Sequence, residues 1–248
     1  MSLLNKMDSE TAIGIFSKTT DSAIIEATGL SGLDFVILDC EHGYISFETL
    51  YNHVRASQLS GISSIVRVSN HEANNIATAL DSGAEGVQIP NINSAKQAKD
   101  AVSAARFFPN GNRGVCRFVK AANYGTKERQ DYFKDANKSI IILQVEGLEG
   151  VRNIDEILDV PNFDVLFIGP YDLSQSVGKP GDVTCPEVIS LMREIATKAK
   201  QKNIKLGTFC DTLDTATLFK EEGFHYIAYS VDINIYINAL VQLNRQIK

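Results

Sequence analysis

Four short segments carry side chains able to do chemistry together. Asp39-Cys40-Glu41-His42-Gly43 places a histidine close behind an aspartate. Arg67 lies inside an apolar run, among Ile65, Val66 and Val68. Gln144-Val145-Glu146-Gly147 ends another apolar run, and Gly169-Pro170-Tyr171-Asp172-Leu173 follows a third. Carboxylate oxygens suit hard divalent cations, and Mg²⁺ is usually held by few protein carboxylates, with water and substrate oxygens filling its shell. Glu146 and Asp172 are therefore candidate metal ligands. The alternative is two unrelated polar strand ends, with Asp172 capping the helix after Pro170. Gln144 shares strand parity with Glu146, so both side chains face the same way. His42 is the acid/base candidate, because imidazole exchanges a proton near neutral pH. Asp39 is near enough in a tight turn to fix its tautomer. The bland alternative, a satisfied histidine, is the reading given to His53, His71 and His225. A guanidinium in an apolar strand needs a partner, since an unpaired buried charge is costly. Arg67 either pairs with a core carboxylate or keeps its fork for a substrate carboxylate.

These residues need a scaffold that brings strand ends to one place. Eight short β-branched or apolar runs recur along the chain: Ala12–Phe16, Phe35–Leu38, Ser64–Val68, Gly86–Ile89, Ile140–Val145, Val165–Ile168, Lys205–Phe209 and Tyr226–Val231. Helical spacing separates them, as in Ile76/Ala79/Leu80, Ala95/Ala98/Val102, Val188/Leu191/Met192/Ile195 and Ile233/Ile237/Leu240/Val241. Continuously apolar strands separated by helices imply a parallel sheet covered by helices. Eight such units in 248 residues predict a closed TIM (β/α)₈ barrel forming one domain over residues 1–248. An open doubly wound sheet is the competing fold, but no Gly-x-Gly-x-x-Gly follows the first run. In a barrel the active site lies at the strand C-termini, where the residues above fall. Residues 106–139 break the rhythm; a loop this long is usually functional or carries short helices of its own.

Composition excludes several classes. Apolar residues make up 44% and charged residues 22%, so there is apolar surface enough to offset chain entropy. The net charge of −6, without basic clusters, argues against nucleic-acid and anionic-membrane partners. The four cysteines, at 40, 116, 185 and 210, show neither Cys-x-x-Cys nor zinc-site spacing and read as reduced thiols. Met1 to Glu10 lacks the apolar run of a secretory leader, so a cytoplasmic location is expected.

Taken in order, these elements resemble the metal-dependent pyruvate aldolases of the HpcH/HpaI aldolase family. The matching text is LDCEHG (38–43), VRV (66–68), ALDSGAEGVQIPNINSAKQA (79–98), RFFPNGNRG (106–114), QVEGLEGVRNIDEIL (144–158) and FIGPYDLSQSVGKPG (167–181). By position, the resemblance implies Glu146 and Asp172 as ligands of Mg²⁺ or Mn²⁺, with Co²⁺ as a further candidate. It implies His42 as the catalytic histidine oriented by Asp39. Arg67 is implied to hold the pyruvate carboxylate and stabilise the enolate. Gln144 is implied as a substrate contact or a support for the ligands, and Asp81 as an aspartate reaching a neighbouring subunit's site. It further implies a homo-oligomer, a hexamer built as a trimer of dimers with terminal helices exchanged between barrels.

The implied reaction is reversible cleavage of a 4-hydroxy-2-oxo acid to pyruvate and an aldehyde, by metal and arginine rather than a Schiff-base lysine. No strand-end lysine is expected, since Lys205 starts its strand. Oxaloacetate decarboxylation on the same site is an alternative, and a non-catalytic keto-acid-binding barrel is another. Three positions depart from the family pattern: Tyr171 for the usual alanine, Gly43-Tyr44-Ile45 after His42, and Tyr229-Ser230 near the last strand. Tyr171 is thus a candidate substrate contact that narrows the pocket. Arg113, in the 106–139 stretch, is a candidate for meeting an acidic substrate tail.

Overall fold

A computed structural model describes residues 2–248. A short helix α1 (Leu3–Lys6) precedes eight strands: β1 (Ala12–Ser17), β2 (Phe35–Asp39), β3 (Ser63–Arg67), β4 (Gly86–Ile89), β5 (Ile140–Val145), β6 (Val165–Ile168), β7 (Lys205–Cys210) and β8 (Tyr226–Val231). Helices α2 (Ser22–Leu30), α3 (Phe47–Ser60), α4 (Ala73–Asp81) and α5 (Ala95–Ala105) follow the first four strands. A 3₁₀ turn (Lys120–Gly125) and α6 (Arg129–Ala136) precede β5. Then come α7 (Leu148–Arg152), α8 (Ile154–Leu158), α9 (Pro170–Ser176), α10 (Pro186–Gln201), α11 (Leu213–Glu221) and α12 (Asp232–Ile247). All strand pairs are parallel, and β8 closes on β1. The expected closed barrel is the observed one, with strand bounds shifted by at most one residue from the apolar runs.

Strand parity divides the core in two. Val36, Leu38, Val66, Val87, Ile141, Leu143 and Leu166 point outward and pack under the helices. Phe35, Ile37, Ile65, Ile140, Ile142, Val165, Phe167 and Tyr226 fill the barrel. Aromatic rings plug its lower half, with Phe35 stacked on Tyr226 at 3.9 Å. Gly14 makes room for that stack: a Cβ there would lie 2.4 Å from the Phe35 ring. Continued to the C-terminal ends, the inward parity delivers Lys18, Asp39, Arg67, Gln88, Gln144 and Glu146 to the barrel mouth.

The 106–139 stretch builds a satellite core rather than an active-site lid. Phe107, Ala122 and Tyr132 cluster there, with Phe133 edge-on to Phe107 at 5.0 Å. Arg106 ties it down by donating to the carbonyls of Asn137 and Ser139 at 2.8 and 2.6 Å. Arg113 is buried, stacks over the Phe107 ring at 4.7 Å and pairs with Asp81. The expectation that Arg113 meets an acidic substrate tail is therefore corrected: its guanidinium is committed to Asp81 and lies outside the pocket at the mouth.

Candidate active site

The mouth holds a cavity of about 250 Å³. It is lined by Phe16, Lys18, His42, Arg67, Gln144, Glu146, Tyr171, Asp172 and Phe209, among others. Five of the sequence-predicted residues thus meet at one site with Tyr171, while Asp39 lies just beneath and Asp81 sits elsewhere, on α4 against Arg113.

On one side the site is already paired. Asp39 and Arg67 are register partners on β2 and β3, so their inward side chains stand side by side. Arg67 donates through Nε and Nη2 to the two Asp39 oxygens at 2.9 and 2.7 Å. Its Nη1 lies 3.0 Å from Glu41, and its plane stacks over Phe16 at 4.7 Å. Of the two roles considered for it, Arg67 takes the pairing with a core carboxylate, and it also lines the pocket. Burial alone would push the Asp39 carboxyl up, but the Arg67 bonds and charge, the His42 N–H and Lys18 outweigh it, holding the carboxyl below its usual range.

The expected contact between Asp39 and the His42 ring is not the observed one. Both Asp39 oxygens face Arg67, and Asp39 serves His42 through the backbone, accepting its N–H at 3.2 Å and that of Glu41 at 3.1 Å. The carboxylate facing the imidazole is Glu41, 4.0 Å from Nε2. Burial raises the Glu41 carboxyl despite Arg67. Sequence reading gave Glu41 no role, although it lies within the same five-residue segment.

The opposite side is rich in acceptors and poor in cations. Glu146 is buried, and no cation pairs with it within 4 Å among the described residues. Its Oε1 accepts the Asn91 backbone N–H at 2.9 Å. Its Oε2 accepts from Gln144 at 2.5 Å, and Gln144 in turn accepts from Gln88 at 2.5 Å. Asn91 also donates through Nδ2 to Glu41 at 3.1 Å, linking the two carboxyls. It does so from a left-handed turn (φ 60°), which asparagine tolerates. Burial, with the Glu41 and Asp172 charges adding to it, outweighs these hydrogen bonds and pushes the Glu146 carboxyl up to about 7. Gly169 leaves the space beside it open: a Cβ there would meet Glu146 Oε2 at 2.9 Å.

This donor set fits a hard divalent cation. A buried carboxyl with a fixed orientation and no cationic partner shares a pocket with a second acid, Asp172. No group of three or more His, Cys, Asp or Glu gathers among the described residues. The two acids would therefore leave most of an octahedral shell to water and substrate, which is the Mg²⁺ habit.

Tyr171 lines the pocket and donates to Asp211 at 2.5 Å, with its ring edge-on to Phe209 at 5.8 Å. That bond, with burial, pushes the phenol up to about 12. Of the remaining histidines, His53 is satisfied as expected, whereas His225 leaves its buried Nδ1 without a hydrogen-bond partner among the described residues. His53 is fully buried, with its two nitrogens bonded to Ser22 and to the Thr19 carbonyl, both at 2.9 Å. The four cysteines are unpaired thiols.

One expectation about lysine fails. Lys18 follows β1 directly and lines the pocket, so a strand-end lysine is present. The signal was available in the sequence, because Lys18 continues the inward parity of Ala12, Gly14 and Phe16.

No helix among the described residues is long and apolar enough to cross a membrane. The profile of the HpcH/HpaI aldolase/citrate lyase family matches residues 12–239. The chain is 34% identical over 235 residues to 2-keto-3-deoxy-L-rhamnonate aldolase of Escherichia coli, covering 94% of this chain and 87% of that one. It is 31% identical over 232 residues to 2-dehydro-3,6-dideoxy-6-sulfogluconate aldolase of Pseudomonas putida, covering 93% and 90%. A crystal structure of an HpcH/HpaI aldolase/citrate lyase family protein from Burkholderia cenocepacia superposes with a TM-score of 0.93 at 29% identity, covering 99% of this chain and 98% of that one. The chain belongs to the HpcH/HpaI aldolase/citrate lyase family.

Proposed function

We propose that this chain is a divalent-metal-dependent aldolase that cleaves a 4-hydroxy-2-oxo acid reversibly to pyruvate and an aldehyde. The observation that carries the reading is the division of one pocket. A carboxylate pair without a cation, Glu146 and Asp172, faces an arginine already braced by Asp39. A cation held by Glu146 and Asp172, Mg²⁺ or Mn²⁺ by its oxygen ligands, would supply Lewis-acid polarisation of the 2-keto group. Gln144 and the Asn91 N–H hold Glu146 in one orientation, so its acceptors are set before substrate arrives.

His42 removes the proton of the C4 hydroxyl. The electron pair of the C3–C4 bond then moves toward the keto carbon, releasing the aldehyde and leaving pyruvate enolate. Arg67 spends two donors on Asp39, keeps Nη1 within ion-pair distance of Glu41, and offers its remaining N–H groups to the enolate oxygen. Because Asp39 fixes the guanidinium plane, those donors need no reorientation as charge develops. Return of a proton to C3 gives pyruvate. Asp39 acts as a positioning residue for Arg67 and, because its carboxylate accepts the Glu41 and His42 backbone N–H groups, for the His42 loop.

The test is pyruvate release from a 4-hydroxy-2-oxo acid after exhaustive chelation and again after adding Mn²⁺. Loss and recovery are expected; full activity under chelation overturns the reading.

We also propose that copies assemble through α12. Ile233, Tyr236, Ile237, Leu240, Val241 and Leu243 of that helix stand 42–64% exposed, an apolar stripe that monomers rarely leave uncovered. A hexamer is expected by light scattering. Ile237→Asp with Leu240→Asp is expected to reduce the mass, and a monomeric wild-type protein overturns the proposal.

A further inference from the structure

The pocket contains a cation that the chemistry above does not use. Lys18 leaves the inward face of β1, and its ammonium lies 3.5 Å from Asp39 Oδ2. That oxygen already takes Arg67 Nη2 at 2.7 Å, and the Lys18 ammonium makes no hydrogen bond among the described residues. Its side chain is only 30% exposed, so it is a largely enclosed cation with donors to spare.

Its backbone is held firmly. The Asp232 carboxylate at the start of α12 accepts the Lys18 N–H at 3.2 Å, the Thr19 N–H at 3.4 Å and the Ser17 hydroxyl at 2.6 Å. His53 clamps the Thr19 carbonyl from α3 at 2.9 Å. That anchoring fixes where the Lys18 side chain starts, and the 3.5 Å approach to Asp39 places its ammonium at the mouth.

The order of strands around the closed barrel gives Lys18 its place on a substrate. Glu146 stands at β5 and Asp172 just after β6, Arg67 at β3, His42 just after β2 and Lys18 just after β1. In a ring of eight, β1 lies across from β5. With the keto acid at the carboxylate pair and the C4 hydroxyl at His42, the atoms beyond C4 run toward Lys18. The cavity of about 250 Å³ leaves room for a short tail.

Resting on the aldolase reading, we propose that Lys18 is a specificity-determining residue that selects aldehydes carrying a second anionic oxygen group, such as a carboxylate, beyond the carbonyl. A charge-assisted hydrogen bond in a partly enclosed site supports roughly a ten- to hundredfold preference over a neutral aldehyde of the same length.

The experiment compares kcat/KM in the condensation direction, with pyruvate and Mn²⁺, for glyoxylate against glycolaldehyde and for succinic semialdehyde against 4-hydroxybutanal. The wild-type enzyme is expected to favour the anion in at least one pair. Lys18→Met is expected to cut that ratio ten- to hundredfold, and Lys18→Arg to retain most of it. An unchanged ratio in Lys18→Met overturns the proposal, as does a wild-type enzyme indifferent to charge. Borohydride trapping of pyruvate on Lys18 also overturns it, because the amine would then be a nucleophile. Metal-dependent exchange of the pyruvate methyl protons with D₂O needs no aldehyde. If exchange is present and the ratio flat, only the Lys18 assignment fails; if exchange is absent, the aldolase reading fails first.

Discussion

The two sides of the barrel mouth solve the problem of buried charge differently. On the β1–β3 side, Asp39 and Arg67 neutralise each other through two short hydrogen bonds within one register pair. On the β5–β6 side, Glu146 is equally enclosed but has only neutral donors, the Asn91 N–H and the Gln144 amide. On the first side the Asp39–Arg67 pair is complete without a ligand, and Lys18 keeps donors to spare. The second carries an unmet demand for positive charge, visible in a carboxyl pushed up to about 7. A keto acid brings the opposite demand. In the proposed reaction the pre-neutralised side would stabilise an anion and the acidic side would receive a cation.

The largest expected effect comes from removing the acidic side's charge. Glu146→Gln keeps the shape while abolishing the negative charge, and Mn²⁺-dependent turnover should fall by about a thousandfold or more, as loss of several kcal/mol of electrostatic stabilisation requires. Calorimetric titration with Mn²⁺ should show the affinity falling with it. If metal binding stays intact while turnover falls, Glu146 is not a ligand and the division of the mouth is drawn wrongly.

Breaking the paired side should be felt in stability as much as in rate. Asp39→Asn leaves Arg67 buried beside a neutral amide, and removal of one partner from a buried ion pair costs about 3–5 kcal/mol. Urea unfolding should show that loss, whereas Glu146→Gln should cost little without metal. Equal destabilisation by the two substitutions would erase the distinction between the two sides.

Much of this was legible in the sequence because the barrel repeats one rule. Each strand is apolar on both faces, so runs such as Ile140–Val145 and Val165–Ile168 stand out without any helical period. Parity then aims Gln144 and Glu146 into the mouth. Pairing across strands was not legible. Arg67 meets Asp39 only because β2 and β3 align those two residues, and register is a property of the closed sheet. Asn91 escaped for a related reason: its backbone N–H reaches Glu146 from a left-handed turn on another strand's loop. Lys18 differs, since its parity could be read, but the apolar run ending at Phe16 drew the strand boundary too early.

The two sides should also titrate in opposite senses. Asp39 is held below its ordinary 3.8, so near and below that value the unfolded chain binds the extra proton. Its contribution to stability is present above 3.8 and is lost as pH falls through the folded-state value. Glu146 is held up to about 7 against an ordinary 4.5, so between those values the native chain binds the extra proton. Stability without metal should therefore fall as pH rises across that interval, by on the order of 2–3 kcal/mol. Glu146→Gln should abolish the neutral-side slope and leave the acid-side one. Urea titrations of the metal-free wild-type and Glu146→Gln proteins from acid to neutral pH measure the difference. A difference that stays constant across the interval would mean that Glu146 is already ionised and partnered in the folded chain, and the acidic side would no longer need a cation from outside.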